Sequence, residues 1–190
     1  MAKFIFRYAT MGSGKSREII SLDYNYKSIC KEGLILVPSD DFSNGFVRSN
    51  NGEYIKALKI GKEDNLYNII SLCENISYVI VDECNFLTVK QVSELSDVVD
   101  SLNIDVLCYG ILTDFQTNSF PSSKRLFEIA DEKEELSIRK LCPCGKKALF
   151  NARFVDGELQ QEGDLIVTKD KDVEYIPLCR SCYKKKGGLI

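Results

Sequence analysis

The chain has 190 residues, 44% of them apolar and 28% charged, with 25 lysines and arginines set against 28 acids for a formal charge of −3. That size suits one compact domain or one domain with a modest appendage, and the composition excludes collagen-like, low-complexity and disordered classes. The acidic balance argues against a nucleic-acid polymer as partner, because backbone phosphates are bound by clustered Lys and Arg.

In chain order, Phe4 to Tyr8 reads as a buried strand and not as a cleavable leader. No run approaches the ~18–20 apolar residues that span a bilayer, so a cytoplasmic protein without a membrane partner is expected. Ile19, Leu22, Tyr26 and Ile29 recur at helical spacing, with Gly33 as the expected C-terminal stop. Leu34 to Val37 reads as a second strand, and Pro38 to Glu53 as a long mobile loop with turn chemistry at Asp40-Asp41 and Asn50-Asn51-Gly52. Tyr78 to Val81 and Val106 to Tyr109 are further strands, and Val89, Val92, Leu95, Val98 and Leu102 mark the helix between them. This alternation predicts an α/β fold with a parallel sheet flanked by crossover helices. After about Leu141 the pattern changes to a cysteine knuckle, a polar middle from Asp156 to Asp172 and a second cysteine pair, which predicts domains at 1–140 and 141–190. Lys184-Lys185-Lys186 reads as a solvated tail.

Histidine is absent, so a general base must be a carboxylate, a lysine or a tyrosine, and a zinc ion must be held largely by sulfur. Ala9-Thr10-Met11-Gly12-Ser13-Gly14-Lys15-Ser16 fits the phosphate-loop pattern G-x-x-x-x-G-K-S/T except for Ala9 in the first place. A Gly-Lys-Ser triplet alone is weak, but here it follows a strand and opens a helix, which aims successive N–H groups and a helix N-terminus at a phosphate chain. Lys15 would reach the β- and γ-phosphates of ATP and Ser16 would ligate Mg²⁺. Asp82 and Glu83 end an apolar strand as a Walker B pair would; Asp82 fits the Mg²⁺ shell, and Glu83 is placed to accept a proton from an incoming hydroxyl or water. The competing reading is an exposed acid pair at a strand end.

Eight cysteines divide into four scattered ones (Cys30, Cys73, Cys84, Cys108), read as core filler, and two pairs. Cys142-x-Cys144 and Cys179-x-x-Cys182 can supply four thiolates to a structural tetrahedral zinc, with no open position for catalysis. A redox pair is the alternative; neither pair is expected to open a helix in a thioredoxin-like unit.

These motifs, with Asn25-Tyr26, Asp82-Glu83-Cys84-Asn85-Phe86-Leu87, Tyr109 to Phe115, Phe120, Ser123-Lys124, Ala130-Asp131, Cys142-Pro-Cys-Gly, Glu162-Gly163 and Tyr175-x-x-x-Cys179-Arg180, resemble the small zinc-containing thymidine kinases of bacteria, phages and animal cytosol. The likeness runs from Phe4 to Tyr183. It implies an ATP- and Mg²⁺-dependent thymidine kinase with a P-loop fold and a zinc-bound unit. It also implies that residues 9–16 together with Asp82, Glu83, Cys84 and Asn85 bind ATP and Mg²⁺. Glu83 would be the base toward the sugar 5′-hydroxyl, Met11, Phe86, Phe115 and Phe120 would shape the base pocket, and Tyr175 would close it. Main-chain groups around Leu165 to Lys169 would clamp the base, and a homotetramer inhibited by the end-product triphosphate is implied as well.

The chain departs from the pattern at Asn85 for a glutamine, at Leu112 and Phe42 for arginines, and at Val167 to Asp172 for a double glycine; either transition-state charge is neutralised less, or Arg48 substitutes for the lost cation. Two other classes stand beside the kinase. A P-loop ATPase would use Glu83 to activate water, but generally needs a second lobe that this length does not hold. A noncatalytic zinc module on nucleic acid would need a basic, aromatic-studded surface.

Overall fold

The computed structural model describes residues 1–39, 44–137, 140–163 and 173–190. Its elements run β1 (Phe4–Tyr8), α1 (Lys15–Ser28), β2 (Glu32–Pro38), β3 (Phe46–Arg48), β4 (Tyr54–Lys56), β5 (Leu58–Ile60), α2 (Leu66–Ser71) and β6 (Ile76–Val81). There follow a 3₁₀ turn (Cys84–Phe86), α3 (Val89–Leu102), β7 (Asp105–Gly110), α4 (Pro121–Ile129) and β8 (Glu132–Glu135). The C-terminal part holds β9 (Phe150–Val155), β10 (Glu158–Gln160), β11 (Val173–Leu178) and α5 (Arg180–Lys185).

Six strands form one sheet in the order β5-β2-β6-β7-β1-β8, every neighbouring pair parallel, which is the α/β architecture expected from the alternation of strands and helices. Side chains on a strand alternate between faces, and the core divides accordingly. Leu36, Val79, Val81, Val106 and Cys108 pack on one face with Val92, Leu95 and Val98 of α3, Leu66 and Ile70 of α2 and Leu126 of α4. Ile35, Val37, Tyr78, Ile80, Leu107 and Tyr109 pack on the other with Ile19 of α1. Both faces are covered, which explains why these strands read as continuous apolar runs. Helix α3 starts with a capping box: Thr88 Oγ1 accepts the Gln91 N–H at 3.1 Å and Gln91 Oε1 accepts the Thr88 N–H at 3.0 Å.

Several local expectations are corrected. Gly33 does not stop α1, which ends at Ser28, with Cys30 taking the left-handed turn at φ 58°. Gly33 lies inside β2, where an added Cβ would sit 2.2 Å from the Tyr78 ring, so the residue is small because an aromatic crosses it. Ile29 is exposed, and Asp23 takes the buried position on α1, accepting the Tyr78 hydroxyl at 2.7 Å. The segment expected as a loop carries the β3–β4 hairpin, turned at residues 49–53 by the Ser49 N–H on the Glu53 carbonyl at 2.8 Å; Asp40, Asp41 and Phe42 lie outside the described residues. Of the scattered cysteines, Cys84 and Cys108 are core filler, Cys73 is half-buried and Cys30 is exposed.

The C-terminal part is more regular than its polar composition implied. Strands β10 and β11 flank β9 in a three-stranded antiparallel sheet, with Asp156 and Gly157 at positive φ turning β9 into β10. Lys184 and Lys185 belong to the last turn of α5, and the Lys186 ammonium stands 5.2 Å over the Phe154 ring, so this run is less a loose tail than a helix end. Among the described residues no helix is long and apolar enough to cross a membrane.

Candidate active site

In open parallel sheets, ligands are bound beyond the carboxyl ends of the strands, and here β1 and β6 flank β7 with their C-terminal ends on that side. The loop after β1 enters α1 through Gly12 at φ 71° and Gly14 at φ 84°, a left-handed backbone that L side chains resist. Lys15 is buried, with its Nζ donating to the Thr10 carbonyl at 3.3 Å, and Thr10 Oγ1 and Ser13 Oγ share a hydrogen bond of 3.0 Å. The loop thus closes on itself around a lysine, as a phosphate cradle requires.

Ser16 Oγ donates to Asp82 Oδ2 at 3.3 Å, which brings the hydroxyl and carboxylate of the predicted Mg²⁺ site together. Burial pushes the Asp82 carboxyl well up and the adjacent Glu83 adds to this, against the pull of Lys15. A hard divalent cation between such oxygen donors would relieve that cost, so the residues fit Mg²⁺. Asp82 Oδ1 also accepts the Glu83 N–H at 3.0 Å, and Glu83 itself sits at φ 49°, ψ 40°. A non-glycine residue in that region costs on the order of 1–3 kcal/mol and persists where its surroundings over-determine it. The bend turns the chain from β6 into the 3₁₀ turn and leaves the Glu83 side chain partly exposed at the strand end.

Cys84 is fully buried, and Asn85 Oδ1 accepts the Ile111 N–H at 3.1 Å while its carbonyl accepts Ser122 Oγ at 2.7 Å. Both brace the turn that carries Glu83 against β7 and α4. The aromatic residues assemble in part. Phe86 and Phe120 meet edge to face at 5.8 Å, and Phe115 is buried with the Arg153 guanidinium carbon 3.4 Å from its ring centroid, so one face of that ring is already taken. Met11 is 38% exposed at the loop tip, and Tyr175 is half-buried on β11, in register with Arg153 on β9. The expected base clamp, Leu165 to Asp172, lies outside the described residues. Arg48, the suggested substitute cation, stacks on Phe46 and Tyr54 within the β3–β4 hairpin.

Cys142, Cys144, Cys179 and Cys182 converge with all four sulfurs within 4.8 Å of one another. Cys144 Sγ lies 3.5 Å from Cys142 Sγ and 3.6 Å from Cys179 Sγ, close to the ~3.8 Å edge of a tetrahedron with metal–sulfur bonds of ~2.3 Å. Burial would raise the Cys142 thiol, but hydrogen bonds from the Cys144 and Cys179 backbones and from neighbouring thiols bring it down to about 6. Cys182, surrounded by the sulfurs of Cys144, Cys142 and Cys179, is pushed up to about 12. The cluster cannot carry four thiolates without a cation, and it suits zinc. Cys179 is the N-cap of α5 and Cys182 lies in its first turn, so this pair does open a helix, but beside a three-stranded antiparallel sheet and not in a thioredoxin-like unit. The facing pair of sulfurs supplies a metal set and not a lone dithiol.

Sequence reading missed the residues that join the two parts. Along β9, Ala152 and Phe154 point into the zinc-side core, so Asn151 and Arg153 point to the opposite face. There Asn151 Oδ1 accepts the Met11 N–H at 2.8 Å, Arg153 covers Phe115, and its Nη2 donates to the Glu162 carbonyl at 2.9 Å. Tyr183 Oη donates to the Phe115 carbonyl at 3.3 Å, and Lys147 pairs with Glu135. A cleft lined by Thr10, Leu112, Thr113, Leu149 and Asn151 runs between the loop and this sheet. Two buried polar side chains alternating with apolar ones in a strand were the available signal. Also missed was Arg7, whose Nη1 donates to Glu18 at 3.0 Å and Tyr109 at 2.7 Å and whose Nε donates to Glu134 at 2.6 Å, tying β1, α1, β7 and β8 beneath the loop. A lone arginine inside an apolar strand marked it.

Comparison with known proteins agrees with this geometry. The family model described as thymidine kinase matches residues 2–183. A thymidine kinase of Haemophilus influenzae is 42% identical over 196 residues, covering 100% of both chains. One from Cutibacterium acnes is 37% identical over 193 residues, covering 97% of this chain and 89% of the relative, and one from Francisella tularensis subsp. tularensis is 34% identical over 195 residues, covering 97% and 98%. With a phosphate loop, an Asp-Glu strand end, an aromatic cluster and a four-cysteine site on one scaffold, and with this likeness along nearly its whole length, the chain belongs to the thymidine kinase family.

Proposed function

We propose that this protein transfers the γ-phosphate of ATP to the 5′-hydroxyl of thymidine, with deoxyuridine as a second acceptor, in nucleotide salvage. The observation that carries the reading is the pairing of Ser16 with Asp82 beside the left-handed Glu83, in a chain whose family match spans both motifs. The N–H groups of the loop and Lys15 bind the phosphates and hold the donor in line. Mg²⁺, held by Ser16 and Asp82, would neutralise charge on the transferred group. Glu83 accepts the proton of the attacking hydroxyl; because phosphoryl transfer passes through a loose transition state, an ordinary carboxylate suffices and no histidine is needed. Phe86, Phe120 and Phe115, with Met11 and Tyr175, are the proposed walls of a base site suited to one six-membered ring and not to a purine. Since thymine and cytosine are nearly isosteric, hydrogen bonds must separate them, and main-chain groups of residues 165–169 are the proposed source.

Zinc on the four cysteines is proposed to be structural, fastening residues 141–190 as a unit beside the kinase unit of residues 1–140. A cytoplasmic homotetramer is the proposed setting. The test is a comparison of kcat/KM for thymidine, deoxyuridine, deoxycytidine and deoxyguanosine with ATP and Mg²⁺. Thymidine and deoxyuridine should lead. Equal or faster transfer to deoxycytidine or deoxyguanosine would overturn the proposed acceptor, and ATP hydrolysis without transfer to any nucleoside would favour the ATPase reading.

A further inference from the structure

The phosphate loop carries its own cation in Lys15, yet a second lysine reaches it from outside the loop. Lys140 lies just before the first zinc-ligand cysteine, and a Cβ placed on Gly12 would stand 3.7 Å from both Cε and Nζ of Lys140 and 3.9 Å from its Cδ. The end of this side chain therefore lies across the middle of the loop, over the one residue there that has φ 71° and no side chain to keep it away. Among the described residues no carboxylate forms an ion pair with Lys140.

Its backbone is held by the cysteine knuckle. The Lys140 carbonyl accepts the Ala148 N–H at 3.0 Å, Leu141 bridges to Lys147, and the Cys142 N–H donates to the Lys146 carbonyl at 2.8 Å. Only Leu141 separates the lysine from Cys142, so the cysteine cluster fixes where the ammonium is delivered. A lysine whose stem covers a glycine is often only packing. Here the ammonium, and not just the stem, is at the loop, and a loop whose N–H groups converge on a polyphosphate is a place where added positive charge acts on the ligand.

We propose that Lys140 is a second phosphate-contacting cation of the donor site, delivered by the zinc-held unit to the polyphosphate of ATP over Gly12. The proposal rests on the reading of residues 9–16 as the ATP phosphate loop. Binding of the triphosphate with one charge-assisted contact fewer should weaken its apparent affinity about tenfold.

The test uses the zinc-loaded protein and the variants Lys140→Met, which keeps the stem and removes the charge, and Lys140→Arg, which restores a charge. At saturating thymidine, Lys140→Met should raise KM for ATP about tenfold, leave KM for thymidine unchanged, and lose the difference from wild type as ionic strength rises. Lys140→Arg should recover most of the effect. Steady-state constants for Lys140→Met equal to wild type would overturn the proposal, as would an Arg variant as impaired as the Met variant, which would mark a packing role. Lys15→Met separates the two levels of reading. If that variant keeps wild-type turnover, the phosphate loop itself has been misassigned. If it is inactive while Lys140→Met is silent, only the role of Lys140 falls.

Discussion

The six-stranded part and the cysteine-bound part solve the same problem, burying enough to stay folded, by different means. The parallel sheet has apolar clusters on both faces, with helices α2, α3 and α4 on one side and α1 on the other. The C-terminal sheet has a small cluster of Cys142, Ala152, Phe154, Leu178, Cys179 and Tyr183, two of them metal-type ligands. A core of that size contributes little against the entropy of ordering the chain, and a metal held by the four cysteines would supply the rest. The difference teaches where each part would be vulnerable: the first to changes in packing, the second to loss of the ion its four cysteines are suited to hold. It also shows what holds the candidate site between them, since Met11 and Phe115 of the first part are held by Asn151, Arg153 and Tyr183 of the second.

The largest effect should come from stripping the metal. Chelation is expected to remove amide-exchange protection from residues 141–163 and 173–190 while β1, β2, β6 and β7 stay protected, because structural zinc supplies folding energy on the order of 10–16 kcal/mol. Elemental analysis of untagged protein should find one zinc per chain. Uniform loss of protection, or protein folded normally with no zinc, would break the contrast.

Next comes Glu83→Gln, which touches neither core. Turnover should fall about 10²- to 10⁴-fold with the thermal midpoint unchanged, as expected for removal of a proton acceptor that keeps its shape. A variant with more than half of wild-type kcat at saturating substrates would show that Glu83 is not the base.

Packing in the first part is sharpened by Gly33→Ala. The new methyl would meet the Tyr78 ring, whose hydroxyl is committed to Asp23 and whose face stacks on Tyr26 at 4.3 Å, so the ring cannot yield freely. Overpacking of this kind costs about 1–3 kcal/mol, read as a lower denaturant midpoint with zinc content unaltered. A midpoint equal to wild type would contradict the close packing described for β2 and β6.

The smallest effect should lie at the junction. Asn151→Ala removes the acceptor for the Met11 N–H, worth about 0.5–1.5 kcal/mol, and should raise KM for substrate about two- to tenfold while zinc binding persists. Unchanged kinetics would mean that the two parts touch without influencing one another.

The legible portions of this molecule are those where one local rule suffices. Val79-Ile80-Val81 could only be a strand buried on both faces, the loop at residues 9–16 had both its glycines and its flanking elements in view, and the four sulfurs announced themselves by spacing. Gly33 was misread because a glycine after a helical run has two uses, and only the ring of Tyr78, distant in sequence, selects between them. Asn151 and Arg153 were overlooked for the same reason. In isolation they are polar residues in a polar-looking segment, and their burial follows from the first part closing over the exposed face of β9.

By itself, then, the sequence determined the parallel α/β order, the phosphate loop, the Asp82-Glu83 strand end and the cysteine set, because each depends on periodicity or spacing within a few residues or on a thiol's need for a partner. Tertiary structure alone decided the left-handed bend at Glu83, the cover of Arg153 over Phe115, the Asn151 tie to Met11 and the approach of Lys140 to Gly12. The last three are contacts between residues far apart in the chain, and no local preference encodes them; they exist only once the two sheets have been packed against each other.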